Sequence, residues 1–196
     1  MFRESITKEE LTELPLKQFY GDIVLVESPQ MARIAADYLK NFPVLGFDTE
    51  TKPSFSKGEN HSVALLQLST EERAFLIRTQ KVGLPDSIRH ILSDPSRLKT
   101  GVAIRDDLKG LQKIKPFKPA GFVELQDIAL KLGIKDFSLK KLSAIVLGYR
   151  ISKSQQISNW EADDLSDQQL VYAATDAYVS LKIYEKLRNS YPDVEL

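Results

Sequence analysis

The chain has 196 residues with 27 Lys+Arg against 27 Asp+Glu, so its formal net charge is zero. Hydrophobic residues make up 42 % and charged ones 28 %, ordinary values for a globular chain of about one domain. The absence of cysteine excludes disulfides, thiolate metal sites and a cysteine nucleophile. The first residues carry no apolar signal core, and no apolar run approaches the ~20 residues of a membrane span. The expected compartment is therefore cytoplasmic, or nuclear in a eukaryote, with no secretion and no membrane.

In chain order, Thr7 and Glu10 form a capping box before Leu11 and Leu14, and Pro15 stops that short helix. Residues 1–20 thus read as a helical extension. Asp22–Val26 reads as a buried strand, and Ser28-Pro29 opens a helix. The apolar run Val44–Phe47 enters Asp48-Thr49-Glu50, and 51–61 is a polar loop. Val63–Leu68 and Ala74–Ile77 predict a hairpin. Residues 86–93 predict a helix, Leu98–Ile104 a strand, 106–114 a helix, and Phe122–Leu125 a strand leading into a helix at 127–132. Ser138 caps a helix expected to run through Tyr149, and 150–160 is a polar loop. A second capping box, Ser166 with Gln169, starts a long helix to about Asn189. A meander followed by alternating strands and helices predicts an α/β fold with a mixed sheet.

Acidic residues stand at informative places. Asp48 and Glu50 are two apart at a strand end, so both carboxylates project to one face. Two such acids repel unless a cation or proton sits between them, and hard oxygen ligands suit Mg²⁺ or Mn²⁺. Asp106 and Asp107 are both available where the helix after Leu98–Ile104 begins. Tyr172 and Asp176 lie four apart on one face of the last helix, among Ala173, Ala174 and Ala177. Each alone reads as a cap or surface charge; the set in this order does not.

Phe47-Asp48-Thr49-Glu50, Gly101-Val-Ala-Ile-Arg-Asp-Asp107-Leu108 and Tyr172-Ala-Ala-Thr-Asp176-Ala177 resemble the three exonuclease motifs of the DEDD superfamily, in its tyrosine-containing DEDDy branch. The likeness runs from about residue 20 to 188. It includes Val63-Ala-Leu-Leu-Gln-Leu, Phe122-Val-Glu-Leu-Gln-Asp127 and Ser158-Asn-Trp160, which look most like the exonuclease domain of the Werner syndrome protein and next like ribonuclease D.

This resemblance implies an RNase H-like three-layer α/β/α fold over residues 21–190, with a mixed, mostly parallel five- or six-stranded sheet. It also implies a hydrolase that removes nucleotides from the 3′ end of DNA, single-stranded or recessed, or of RNA, using two divalent ions, Mg²⁺ or Mn²⁺. The implied metal ligands are Asp48, Glu50, Asp107 and Asp176; the family's Asp-Leu pairing selects Asp107 over Asp106. Tyr172 would orient the attacking water. Thr49, Phe55, Lys57, Arg150 and Lys153 are candidate substrate contacts, and Trp160 reads as a packing anchor. An RNA-trimming enzyme like ribonuclease D and an inactive nucleic-acid-binding relative are the alternatives.

The neutral total argues against a nucleic-acid partner, but its distribution does not. Residues 97–153 hold 13 Lys/Arg and 5 Asp/Glu, a local +8. A segment that basic reads either as a phosphate-binding face or as lysines scattered over solvated helix faces.

Overall fold

The computed structural model describes residues 2–56 and 58–192. Six strands, β1 (Asp22–Val26), β2 (Val44–Thr51), β3 (Val63–Ser69), β4 (Arg73–Arg78), β5 (Leu98–Gly101) and β6 (Phe122–Glu124), form one sheet in the order β1-β4-β3-β2-β5-β6. The β2-β3-β4 meander is antiparallel, while β1 joins β4, β5 joins β2 and β6 joins β5 in parallel. The expected mixed sheet is present, with helices on both faces.

Helices α2 (Pro29–Leu39), α4 (Asp86–Ser93) and α5 (Ile104–Ile114) cover one face, burying Ala32, Leu39, Ile88, Leu92 and Leu111 against Leu45, Phe47, Leu66, Leu68 and Ile77. The other face carries the long α8 (Asp167–Ser190), whose Tyr172, Ala173 and Ala174 pack on Leu65, Leu76 and Trp160. The amino-terminal α1 (Lys8–Glu13) joins this side with α6 (Leu125–Lys131) and α7 (Leu139–Leu142). A one-turn helix, α3 (Thr79–Val82), follows β4 without a side-chain cap, and the sequence gives no sign of it. Among the described residues no helix is long and apolar enough to cross a membrane.

Local signals landed where they depend on neighbours in sequence. Thr7 and Ser166 each cap their helix with the reciprocal Glu10 and Gln169 bonds of a capping box, and Ser28 and Ser138 accept from the backbone three residues on.

β2 runs through Asp48 and Glu50 to Thr51, so the two acids stand near its end as expected, paired opposite Gln67 and Leu65. Two expectations need correction. β5 ends at Gly101, because Ala103 adopts a left-handed conformation (φ 59°) and Glu124 accepts from the Ala103 and Ile104 amides, starting α5 early. The helix from Ser138 is α-helical only to Leu142. It widens into a π-turn over Ser143–Leu147 and ends at Gly148 (φ 73°).

The close seat of α8 on β2 needs Gly46. A Cβ there would lie 1.8 Å from the Ala177 carbonyl oxygen. Gly46→Ala therefore forces α8 off the sheet, and we expect a loss of about 1–3 kcal/mol or more, read as a lower midpoint in chemical denaturation.

Candidate active site

Side chains alternate along β2, so Gly46, Asp48 and Glu50 share the face under α8 while Leu45, Phe47 and Thr49 face the opposite layer. The Ala-rich face of α8 places Asp176 and Tyr172 over that row, and both are buried. The Tyr172 hydroxyl lies close enough to the Asp176 carboxylate to favour its charged form. From the other layer, α5 delivers Asp107, whose carboxylate accepts from the Thr49 hydroxyl. The Thr49 backbone amide donates to Asp48 at 2.8 Å. One residue of β2 thus bonds carboxylates of two motifs. Asp106 points elsewhere: it is exposed and pairs with Lys109 at 2.8 Å.

Electrostatics sets this cluster apart from a structural ion pair. Burial, then Asp176 and Asp107, raises Asp48 well above the usual carboxylate range. Burial and the other three acids push Glu50 up to about 10. Burial raises Asp107 to about 6 against the opposing bond from Thr49. Asp176 rises to about 7, again by burial, opposed by Tyr172 and Lys153. The Tyr172 phenol is raised by burial and then by Asp176, so it acts as a hydrogen-bond donor and not as a phenolate.

Four carboxylates, Asp176 buried and Asp48, Glu50 and Asp107 half-buried, therefore crowd one place, and Lys153 acts on them. Their protons, or bound cations, must balance the charge. Hard oxygen donors fit Mg²⁺ or Mn²⁺. Among the described residues no three acidic or histidine side chains form a shell that could by itself hold one ion.

A cavity of about 310 Å³ opens beside these acids, lined by Asp48, Asp176 and Tyr172 together with Ala103, Lys140 and Lys153. Lys140 carries no signal in the sequence. It reaches the site because the short α7 and the 150–156 loop meet there. Arg150 is engaged elsewhere: its Nε donates to the Leu14 carbonyl and its backbone exchanges bonds with Pro15 and Lys17, fastening the amino-terminal segment. Phe55 is 80 % exposed in the loop after β2, and Lys57 lies outside the described residues. Trp160 is fully buried, 6.0 Å from the Tyr172 ring. His61, to which the sequence assigns no role, bridges Glu59 and Glu161 at 2.9 and 3.0 Å, tying the Phe55 loop to the segment before α8.

A family profile described as 3′-5′ exonuclease matches residues 23–192. The chain belongs to the 3′-5′ exonuclease family. A curated relative, the bifunctional 3′-5′ exonuclease/ATP-dependent helicase of Mus musculus, is 35 % identical over 187 residues, which is 90 % of this chain. The chain spans 13 % of that relative's length and 26–27 % of the next two. Among solved structures, the Nibbler EXO domain of Aedes aegypti superposes with a TM-score of 0.81 at 24 % identity, covering 92 % of this chain and 94 % of that one. RNase D of Escherichia coli gives 0.79 at 23 %, covering 87 % and 45 %. These two likenesses establish the RNase H-like exonuclease fold and its mixed sheet. As an exonuclease-family domain, the chain places its three motifs on β2, α5 and α8.

Proposed function

We propose that residues 21–190 form a hydrolase that removes nucleotides one at a time from the 3′ end of DNA by metal-dependent cleavage. The observation that carries this reading is the cluster of half-buried Asp48, Glu50 and Asp107 with buried Asp176, whose mutual repulsion is opposed by Lys153. Those four residues would hold two divalent ions, Mg²⁺ or Mn²⁺. Bound there, the ions acidify a coordinated water and stabilise charge on the phosphate in an in-line displacement. By likeness to the family, Asp48 would contribute to both ions, Glu50 and Asp176 to the one that activates water, and Asp107 to the other.

The remaining chemistry belongs to the chain itself. Tyr172 stays protonated beside Asp176 and would present its hydroxyl to orient the attacking water. Thr49 fixes Asp48 and Asp107 relative to each other. Lys153 and Lys140 line the same cavity and offer charge to backbone phosphates. Exposed Phe55 would stack on a terminal base, and Lys57, two residues on in the sequence, would contact a phosphate. Arg150 supports the 150–156 loop from behind.

The test is release of label from 3′-labelled single-stranded DNA, recessed duplex and RNA with Mn²⁺, beside a chelated control. Nucleoside 5′-monophosphates released only with the ion are expected. Release unaffected by chelation, or from the 5′ end, sinks the reading. RNA cleaved in preference to DNA favours a ribonuclease D-like role, and binding without cleavage an inactive relative. In the same assay Tyr172→Phe should lower kcat roughly tenfold, short of the ~10²–10⁴-fold of a full general base, with calorimetric Mn²⁺ affinity unchanged. A parallel loss of Mn²⁺ affinity would make Tyr172 structural.

A further inference from the structure

β3 reads Val63-Ala-Leu-Leu-Gln67-Leu, and Gln67 is its one polar side chain within that run. It is completely buried. Neither its amide nitrogen nor its amide oxygen has a hydrogen-bond partner. Such a group surrenders its hydration and recovers nothing, so a leucine like its neighbours would serve the fold better. An unsatisfied buried amide in a close-packed sheet calls for a reason outside packing.

Its register supplies one. Gln67 pairs across the antiparallel β2-β3 ladder with Asp48. Directly opposed residues project to the same face with Cβ atoms ~4.5–5.5 Å apart. That face lies under α8: Leu65, two residues before Gln67, packs there with Ala173 and Ala174, while Leu66 and Leu68 point to the other layer. On its other side Gln67 pairs with Leu76, which offers no polar atom. The nearest polar side chain across the ladder is the carboxylate of Asp48.

We propose that Gln67 is a positioning residue: its Nε2 amide, unpartnered in this structure, would turn to donate to the Asp48 carboxylate opposite it when divalent ions are bound, and hold it in the orientation that serves them. The amide suits this place because it is a neutral donor. A lysine or arginine would also orient the carboxylate, but its charge would replace the ions. Leucine would leave the carboxylate free to turn. Partners of ligating carboxylates act in this way in metal sites generally. The proposal rests on Asp48 being a metal ligand.

The test uses the full chain and Mg²⁺ or Mn²⁺ alone, then a 3′-labelled oligonucleotide. Gln67→Met keeps the volume and removes both amide atoms. It should melt at or above the temperature of the unaltered chain, bind Mn²⁺ about tenfold or more weakly by calorimetry, and lose kcat with KM for the oligonucleotide unchanged. Independently of any variant's folding, the Gln67 side-chain NH₂ signals of the unaltered chain should shift on Mg²⁺ saturation and stay still in Asp48→Asn. NH₂ signals indifferent to Mg²⁺ overturn the proposal, as does Gln67→Met with unaltered Mn²⁺ affinity and kcat. If the unaltered chain itself neither binds Mn²⁺ nor releases nucleotide, it is the metal-dependent reading of the site that fails.

Discussion

Asp48→Asn abolishes ion-dependent nucleotide release without weakening the fold. Asp48 stands where the other acids converge: Asp176 and Asp107 both act on it, and Asp48 is the first charged group acting on Glu50. Removing its charge takes away the ligand shared by both proposed ions. Losing several kcal/mol of charge stabilisation in the transition state corresponds to a fall on the order of 10³-fold or more. The metal-free fold should gain, because a half-buried, mutually repelled carboxylate is replaced by an amide of the same shape. The measurements are single-turnover release of a 3′-terminal nucleotide and the melting temperature in chelator. Activity within tenfold of the unaltered chain would remove Asp48 from the site. A collapse in melting temperature would make it a structural residue.

The same residue shows how far sequence reading reaches. The pairing of Asp48 with Glu50 on one face follows from strand alternation, and that of Tyr172 with Asp176 from helix periodicity, so both were legible. The choice of Asp107 over Asp106 needed family likeness, because its physical cause is distant: Thr49 holds Asp107 from β2, and Glu124 starts α5 by accepting from Ala103 and Ile104.

The basic stretch 97–153 divides between the two readings its sequence allows. Lys99 is buried, donates to the Asp94 and Arg97 carbonyls, and is pushed down to about 8 by desolvation. Arg97 binds the carbonyls that close α2. Lys109, Lys115, Lys135 and Lys141 each pair with an acid. A sum of charges cannot separate these from Lys140 and Lys153, which line the acidic cavity. Nor does the neutral amide of Gln67 enter such a sum, though its register places it beside Asp48.

The crowded acids also tie stability to pH and to divalent ions. A carboxyl with a raised folded-state pKa binds its proton more tightly in the folded chain than in the unfolded one. Its contribution is complete below the unfolded pKa and is lost as pH rises through the folded value. The unfolded values are near 3.8 for Asp and 4.5 for Glu, and the folded ones are about 6 for Asp107, about 7 for Asp176 and about 10 for Glu50. The metal-free chain should therefore lose stability continuously between pH 5 and pH 8. For a chain of this size each kcal/mol lost lowers the melting temperature by about 2–4 °C. Mg²⁺ or Mn²⁺ should oppose that loss, because the ions take the place of the protons. Their stabilisation should be large at pH 8 and small at pH 5, where protons compete for the same oxygens. At a hundredfold excess over Kd the gain at pH 8 is about 2.7 kcal/mol. Thermal melts at both pH values, with chelator and with saturating Mn²⁺, read the whole cycle. A melting temperature indifferent to pH in chelator would mean the acids are balanced without ions. Asp48→Asn should flatten the pH dependence and the Mn²⁺ shift together, since one crowded charge produces both.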